Sequence, residues 1–386
     1  MASIEVSDES ISRNEEVNEE YENDDGVIEE NNNNNNKDET PKDKKLKGAI
    51  QSIMKNMVSS KQPFSLPICF SEPRSFLEKL TDMGDYLDIF LGSSNMESSE
   101  NRFLEILKFY LSSWMENQDV RSPFNPVIGE TFSCKWNHSD GSSTEYIAEQ
   151  LSHHPPETGF IMNNKTKSII MHAYLQPTSK FWGNSLESTI EGNVIYLLPK
   201  YDEEYTANLP KIAVKGIVVG SLATELNGST VLSCKKSGYY AEMEFKGRGL
   251  IAKSKNMMIC KVRHPSSKRS LYTLEAKWDG TITILSSKTN KTTSFFDPSS
   301  IKKNEKIVEE LSKQPENSSQ RVWEHVIKNI IVDNEDEAQS QKHIVEENQR
   351  SIAKTREGQV WNPVHFTKTD VSYIHNQLNS LKKEMS

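Results

Sequence analysis

Between residues 127 and about 296, apolar and polar positions alternate in short runs rich in β-branched and aromatic residues. Among them are "TEYIAEQ", "KSIIMHAYL", "STIEGNVIYLL", "KIAVKGIVVG", "YYAEMEF", "MMICKVR", "SLYTLEAKW" and "GTITILSS". Turn-forming stretches such as "NNKTK", "LNGST", "KKSG", "KGRG", "WDGT" and "KTNK" separate them. A period of two reads as strands, and the lack of helical patterns between the runs reads as an antiparallel meander. So many strands must split into two sheets or close on themselves, and closure predicts a barrel roomy enough for a ligand.

Helical spacing governs both flanks. "LKGAIQSIMKNMV" puts Leu46, Ala49, Ile50, Ile53, Met54, Met57 and Val58 on one face. Residues 42–61 hold six lysines and one Asp, so this helix is basic as well as amphipathic. It reads either as a first helix packed on the core or as a movable cover that touches anionic membrane. Ser71-Glu72-Pro73 carries a helix-start signal, and Phe76, Leu77, Leu80, Met83, Leu87 and Phe90 continue it at helical spacing. A core helix is expected from 100 to about 116. After the strands, "NEKIVEEL", "SQRVWEHVIKNI" and a polar stretch from 335 to about 357 are helix candidates. No period of 20–50 residues repeats, which excludes solenoids and propellers.

Charge sharpens this plan. Residues 1–45 carry 15 acids and 5 bases, a balance of −10, and include "NNNNNN" at 31–36. They are expected to be disordered, as an interaction tail or a solvating extension. The remainder, with 40 acids and 41 bases, is nearly neutral, and this offers no electrostatic footprint for nucleic acid. No stretch approaches the run of about 20 apolar residues that spans a bilayer, and the acidic N-terminus lacks a secretory signature. Cys69, Cys134, Cys234 and Cys260 are far apart and read as free thiols of a cytosolic protein. No metal site is expected, because nothing has ligand spacing.

The candidate chemistry starts with His153 and His154, side by side in "EQLSHHPPETGF". A nucleophilic mechanism needs a base facing a nucleophile, but neighbours on a strand such as Ser152 point to opposite faces, and no G-x-S-x-G elbow exists. An esterase built on Ser152 and His153 therefore serves only as a foil. On residue types alone, a strand end at Pro155-Pro156 with two hydrogen-bonding imidazoles remains. In "KHIVEENQR", Lys342, Glu346 and Arg350 lie at i, i+4 and i+8, one stripe of a helix, which alone reads as a surface ladder of ion pairs. Arg121, before "PFNPVIGE", alone reads as an exposed loop base. Taken together, imidazoles, an Arg fork and Lys point charges are the kit for a phosphate monoester. With an apolar barrel and a cover helix, they describe a lipid carrier.

"EQLSHHPP" at 149–156 resembles the fingerprint of the oxysterol-binding protein-related family, E-Q-V-S-H-H-P-P, with Leu151 in place of Val. "PFNPVIGETF" at 123–132, "SKFWGNSLE" at 179–187, "FKGRGL" at 245–250, "KWDG" at 277–280 and "KHIVEENQR" are similar to further family segments in the same order. The resemblance covers roughly residues 46–370. It implies a mainly β fold with flanking helices: a large incomplete antiparallel barrel around an apolar tunnel, with an N-terminal lid and C-terminal helices. The resulting plan is a disordered tail (1–45) and one lipid-binding domain (46–386), with lid 46–60, helices 73–118, barrel strands 127–297 and a C-terminal helical region 300–386.

The resemblance further implies a cytosolic protein, peripheral on membranes, without enzymatic activity or cofactor. It would carry a sterol or phosphatidylserine and exchange it for phosphatidylinositol 4-phosphate between membranes; the alternative is a lipid sensor or adaptor that regulates a partner. His153, His154, Lys342 and Arg350 would hold the inositol phosphates, and Glu346 the inositol hydroxyls. The family usually has Lys where this chain has Ser122, and Arg121 is the substitute. "SFFDPSS" at 294–300 is similar to a two-phenylalanine receptor motif, but Phe295 and Phe296 are expected to be buried. The resemblance is to a short form without a pleckstrin-homology domain.

Overall fold

The computed structural model describes residues 68–114, 121–182, 185–216, 223–247, 256–277, 280–356, 361–370 and 372–386. The lid positions Leu46, Ala49, Ile50, Ile53, Met54 and Met57 and the acidic tail lie outside the described residues. From a 3-10 turn at Ile68–Phe70 the chain enters strand β1 (Ser71–Ser75) and not the helix predicted there. β1 pairs in parallel with β2 (Ser122–Phe124), and the edge position tolerates Pro73, which has no N–H to donate. Helix starts only at α1 (Phe76–Lys79), followed by a 3-10 turn (Leu80–Gly84), α2 (Leu87–Ser93) and α3 (Ser99–Ser112).

The predicted meander forms one sheet of 13 strands. Its first part is β3 (Thr131–Asn137), β4 (Ser143–His153), β5 (Pro156–Asn164), β6 (Ile169–Phe181), β7 (Ser185–Leu198) and β8 (Glu203–Asn208). After β9 (Lys211–Lys215) it continues as β10 (Ala223–Cys234), β11 (Tyr240–Lys246), β12 (Met257–Arg263), β13 (Tyr272–Lys277), β14 (Ile282–Ser286) and β15 (Lys291–Phe296). Pairing is antiparallel between sequential neighbours, except that β8 pairs with β10 while β9 pairs with β10 and β7, closing part of the sheet into a ring. β3 alternates buried Phe132, Cys134 and Trp136 with exposed positions, the period-two signature of one covered face. Those side chains form one core with α1–α3, so the helices lie against the face that these side chains share. α3 is buried around most of its circumference, as a central helix must be.

At the end of the sheet that holds the β7–β8 connection, polar side chains lock α3 in place. The Arg102 guanidinium donates to both Glu203 carboxylate oxygens, at 2.6 and 2.7 Å, and to the carbonyls of Met96 and Glu97. Its ring-face contact with Tyr201 is 3.9 Å to the centroid. Glu100 accepts from the Tyr272 hydroxyl at 2.6 Å. The opposite end carries the β4–β5 turn and with it the two histidines.

After β15 the chain runs back along the free edge of β3. Ile307 exchanges both backbone hydrogen bonds with Lys135, which is why "NEKIVEEL" is extended and not helical. Phe296 is fully buried and Phe295 partly so, packed against the same core. Helices α4 (Ser319–Val322), α5 (Glu324–Ile331) and α6 (Glu335–Thr355) follow, then a hairpin of β16 (Phe366–Lys368) and β17 (Tyr373–His375), and α7 (Leu378–Met385). α7 lays Leu378, Leu381 and Met385 on Ile161, Ile170 and Leu197, on the outer face of the sheet. The hairpin packs Phe366 and Tyr373 on Leu151 and Tyr174.

Between α7 and the hairpin lies His172 of β6. Burial, and the nearby charges of Lys382 and His375, push its pKa down to about 4. Burial, with His365 beside it, pushes His375 down to about 4 as well, and His375 Nδ1 accepts from the Gln377 N–H, which requires a neutral ring. Both rings are neutral in the fold and protonate near pH 6.5 in the unfolded chain. As pH falls, the unfolded state takes up protons first, so the stability that these two rings contribute is flat above about pH 7 and declines from about 6.5 towards 4. Thermal unfolding scanned from pH 7.5 to 4.5 should show this decline, and His172→Gln should flatten it; an unchanged slope in the variant would refute the assignment.

Candidate functional site

The two histidines owe their placement to the strand that ends at them. β4 and β5 run in register until Gln150 faces Thr158, and then Leu151 is an extra residue before Ser152 faces Glu157 and His153 faces Pro156. Such a bulge re-aims the side chains that follow it. Gln150 fixes the bulge: its Nε2 donates to the Ser152 carbonyl at 2.7 Å, and its Oε1 accepts from the Thr158 hydroxyl at 2.6 Å. Pro155 and Pro156 therefore do not simply stop the strand. The turn covers residues 154–155, and Pro156 opens β5. The imidazole rings lie with centroids 4.5 Å apart at 64°.

The "PFNPVIGE" loop is bolted to this strand. Gln150 exchanges two backbone hydrogen bonds of 2.9 Å with Gly129 and Glu130. Gly129 has φ +75°, and a Cβ there would stand 2.4 Å from the Trp361 ring, so only glycine fits. The fully buried Glu130 carboxylate gathers four donors: Ser75, Ser319, the Val127 N–H and the Trp323 indole. Burial raises its pKa against the pull of those bonds. Glu149, equally buried, accepts from the N–H groups of Val364 and His365, both at 2.8 Å. The acidic and amide residues of the two motifs thus build the frame, a role that residue types alone did not reveal.

α6 supplies the cations. Its N-cap Asn334 and the acidic first turn Glu335, Asp336 and Glu337 suit a helix start. Ala338 and Val345 pack on the α4–α5 side, around Trp323 and Val326. The stripe of Lys342, Glu346 and Arg350 runs from interior to solvent: Lys342 is buried and paired with Glu346 at 3.8 Å, whereas Arg350 is exposed. Arg350 pairs with Glu347 and not with Glu346, a departure from the simple ladder. An exposed pair of that kind contributes about 0–1 kcal/mol, so an incoming anion displaces it at little cost.

Burial lowers the His153 pKa, and His154 and Arg350 lower it further, which places the Arg350 charge within reach of the ring. The Pro126 carbonyl of the bolted loop opposes the shift. Even so, His153 Nδ1 is buried without a hydrogen bond of good geometry. A buried polar atom of this kind gains roughly 1–3 kcal/mol from a hydrogen-bonding partner, which suits a ring nitrogen to receive a polar ligand. Burial also lowers the Lys342 pKa, with Glu346 offsetting part of it. Arg121 is exposed immediately before β2, five residues upstream of Pro126. The site thus offers imidazoles and a guanidinium beside one another, with a buried ammonium on the same helix as the guanidinium. Among the described residues, neither imidazole bonds to Ser152 or to a carboxylate, and no cluster of His, Cys, Asp and Glu could hold a metal ion.

The sequence profile described as oxysterol-binding protein matches residues 49–330. Over 341 residues the chain is 56% identical to oxysterol-binding protein 10 of Dictyostelium discoideum, covering 85% of this chain and 87% of that one. The chain belongs to the oxysterol-binding protein family. It is a family of lipid-binding proteins and not of enzymes, and the Ser152 foil falls away. The fold agrees. The ORD domain of Osh1 in complex with cholesterol superposes with a TM-score of 0.71 at 22% identity, covering 87% of this chain and 88% of that one. The Osh3 ORD in complex with PI(4)P, from Saccharomyces cerevisiae, gives 0.66 at 19%, with 87% and 93% covered. At those identities the likeness is one of fold. Among the described residues, no helix of this oxysterol-binding protein is long and apolar enough to cross a membrane.

Proposed function

We propose that this chain carries one lipid at a time and exchanges a sterol, or another lipid such as phosphatidylserine, for phosphatidylinositol 4-phosphate between membranes. The observation that carries the reading is the pair of imidazoles, with ring centroids 4.5 Å apart and His153 half-buried, set within the field of Arg350. His153, His154, Lys342 and Arg350 would hold the inositol phosphates and Glu346 the ring hydroxyls, with Arg121 in the place left by Ser122. A phosphate would accept from His153 and add a second anion near Lys342, which Glu346 already pairs. The Osh3 relative bound to PI(4)P and the Osh1 relative bound to cholesterol support the two lipid classes.

The interior also supports a lipid with a hydroxyl. The Tyr110 hydroxyl donates to the Asn208 carbonyl at 2.9 Å, and the Thr230 hydroxyl and Trp114 indole lie beside it as its hydrogen-bonding neighbours. Apolar surroundings with a few convergent polar groups suit a sterol. Residues 46–60 would be the lid of a domain spanning 46–386, and the protein would work in the cytoplasm, peripherally on membranes. The test is transfer between vesicles. Labelled phosphatidylinositol 4-phosphate should move from donor to acceptor in proportion to protein, faster when acceptor vesicles contain a sterol. Absence of both transfer and any co-purifying lipid by mass spectrometry would end the proposal.

A further inference from the structure

β6 and β7 do not stop where their neighbours do. β5 pairs with β6 only up to Thr158 opposite Leu175, yet β6 goes on for six more residues paired with β7, to Phe181 opposite Leu186. At about 3.3 Å per residue, the hairpin extends some 20 Å beyond that level. The facing pair His153–Pro156 lies about two residues beyond the same level and at the same end. Measured along the strands, the hairpin tip thus stands roughly 13 Å past the histidines. It is braced: β9 pairs with residues 185–188 of β7, and Lys211 bonds Glu187 at 3.3 Å. Ser179 and Ser188 hydroxyls bond across it at 2.9 Å.

At the tip sits Trp182, 65% exposed, with its backbone N–H donating to the Ser185 carbonyl. Exposed Lys180 precedes it, and Thr178 and Ser179 are exposed too. A stiff, polar hairpin gains nothing in water from a large aromatic tip, and among the described residues Trp182 joins none of the core clusters. Trp is the side chain that prefers the boundary between lipid tails and headgroups, where its indole N–H stays wet and its ring does not. Lys180 beside it matches an anionic lipid surface.

We propose that Trp182 is a membrane anchor, inserting into the interfacial layer of a bilayer and holding the histidine end of the barrel against it. This deepens the lipid-exchange reading and rests on it only for the bilayer as occupant; a protein-docking tip is the outcome that would replace it. The test is co-sedimentation of the full chain with phosphatidylcholine–phosphatidylserine vesicles, with and without phosphatidylinositol 4-phosphate. Trp182→Ala should weaken binding to both vesicle types about tenfold, and Trp182→Phe should retain most of it. Brominated phosphatidylcholine should quench more tryptophan emission in the wild type than in Trp182→Phe. Melting temperature and binding of a soluble short-chain phosphatidylinositol 4-phosphate should match the wild type in both variants. Vesicle binding unchanged in Trp182→Ala overturns the proposal, as does loss of a protein partner with vesicle binding intact, or loss of soluble-lipid binding. Vesicle binding that depends on Trp182 in a protein that never binds the phosphoinositide would keep the anchor and reject the exchange reading.

Discussion

Replacing His153 and His154 together by alanine is expected to weaken phosphatidylinositol 4-phosphate binding by roughly 10²- to 10⁴-fold, the loss of two charge-assisted hydrogen bonds of about 1.5–3 kcal/mol each. The fold should suffer little: the hydrogen bond that His153 would lose is the one to the Pro126 carbonyl, so the melting temperature of the variant should stay close to that of the wild type. A second signature separates binding from folding. Burial starts the His153 pKa below its ordinary value, and a bound phosphate would favour the imidazolium. Binding therefore takes up a proton, so wild-type affinity should rise as pH falls from 8 to 6, and the double variant should show a flatter profile. Titration calorimetry in two buffers of different ionisation enthalpy would count that proton. Equal affinity of variant and wild type would remove the histidines from the site.

Arg102→Ala is expected to cost about 3–5 kcal/mol of stability, because it leaves the buried Glu203 carboxylate without its guanidinium. Among the described residues, the Tyr205 hydroxyl, at 2.6 Å, would still donate to it. Urea unfolding should show the loss as a lower midpoint with an unchanged slope. Removing both charges, as Arg102→Met with Glu203→Leu, should recover most of it, since a buried pair is worth little more than apolar groups of similar volume. If Arg102→Ala unfolds at the wild-type midpoint, the ion pair does not hold α3 in the sheet.

The strands were legible because their period-two pattern reports burial directly: Phe132, Cys134 and Trp136 point inwards as alternation requires. The helix predicted at Pro73 was misplaced because local start signals do not see a parallel partner 51 residues away, Ser122. "NEKIVEEL" failed for the same reason, its edge partner being Lys135. In the candidate site, His153 and His154 stand together because they are neighbours in sequence, and Lys342 and Glu346 pair because they are one turn apart. Glu130 and Glu149 were illegible as frame residues. Their donors come from Ser319, Trp323, Val364 and His365, which only the fold brings near. A glutamate surrounded in sequence by apolar residues and glycine was the available hint.

The hook between Glu149 and the N–H groups of Val364 and His365 bears on how the protein can be handled. The family profile ends at 330, and a laboratory fragment trimmed there would look reasonable on paper. It would strip the greasy outer wall at Ile161, Ile170 and Leu197 of its roof and orphan a carboxylate three residues from Ser152. Such a fragment should clump in solution and lose its grip on the histidine turn, so the expression boundary belongs at the last residues of α7, where Ser168 still fastens Met385.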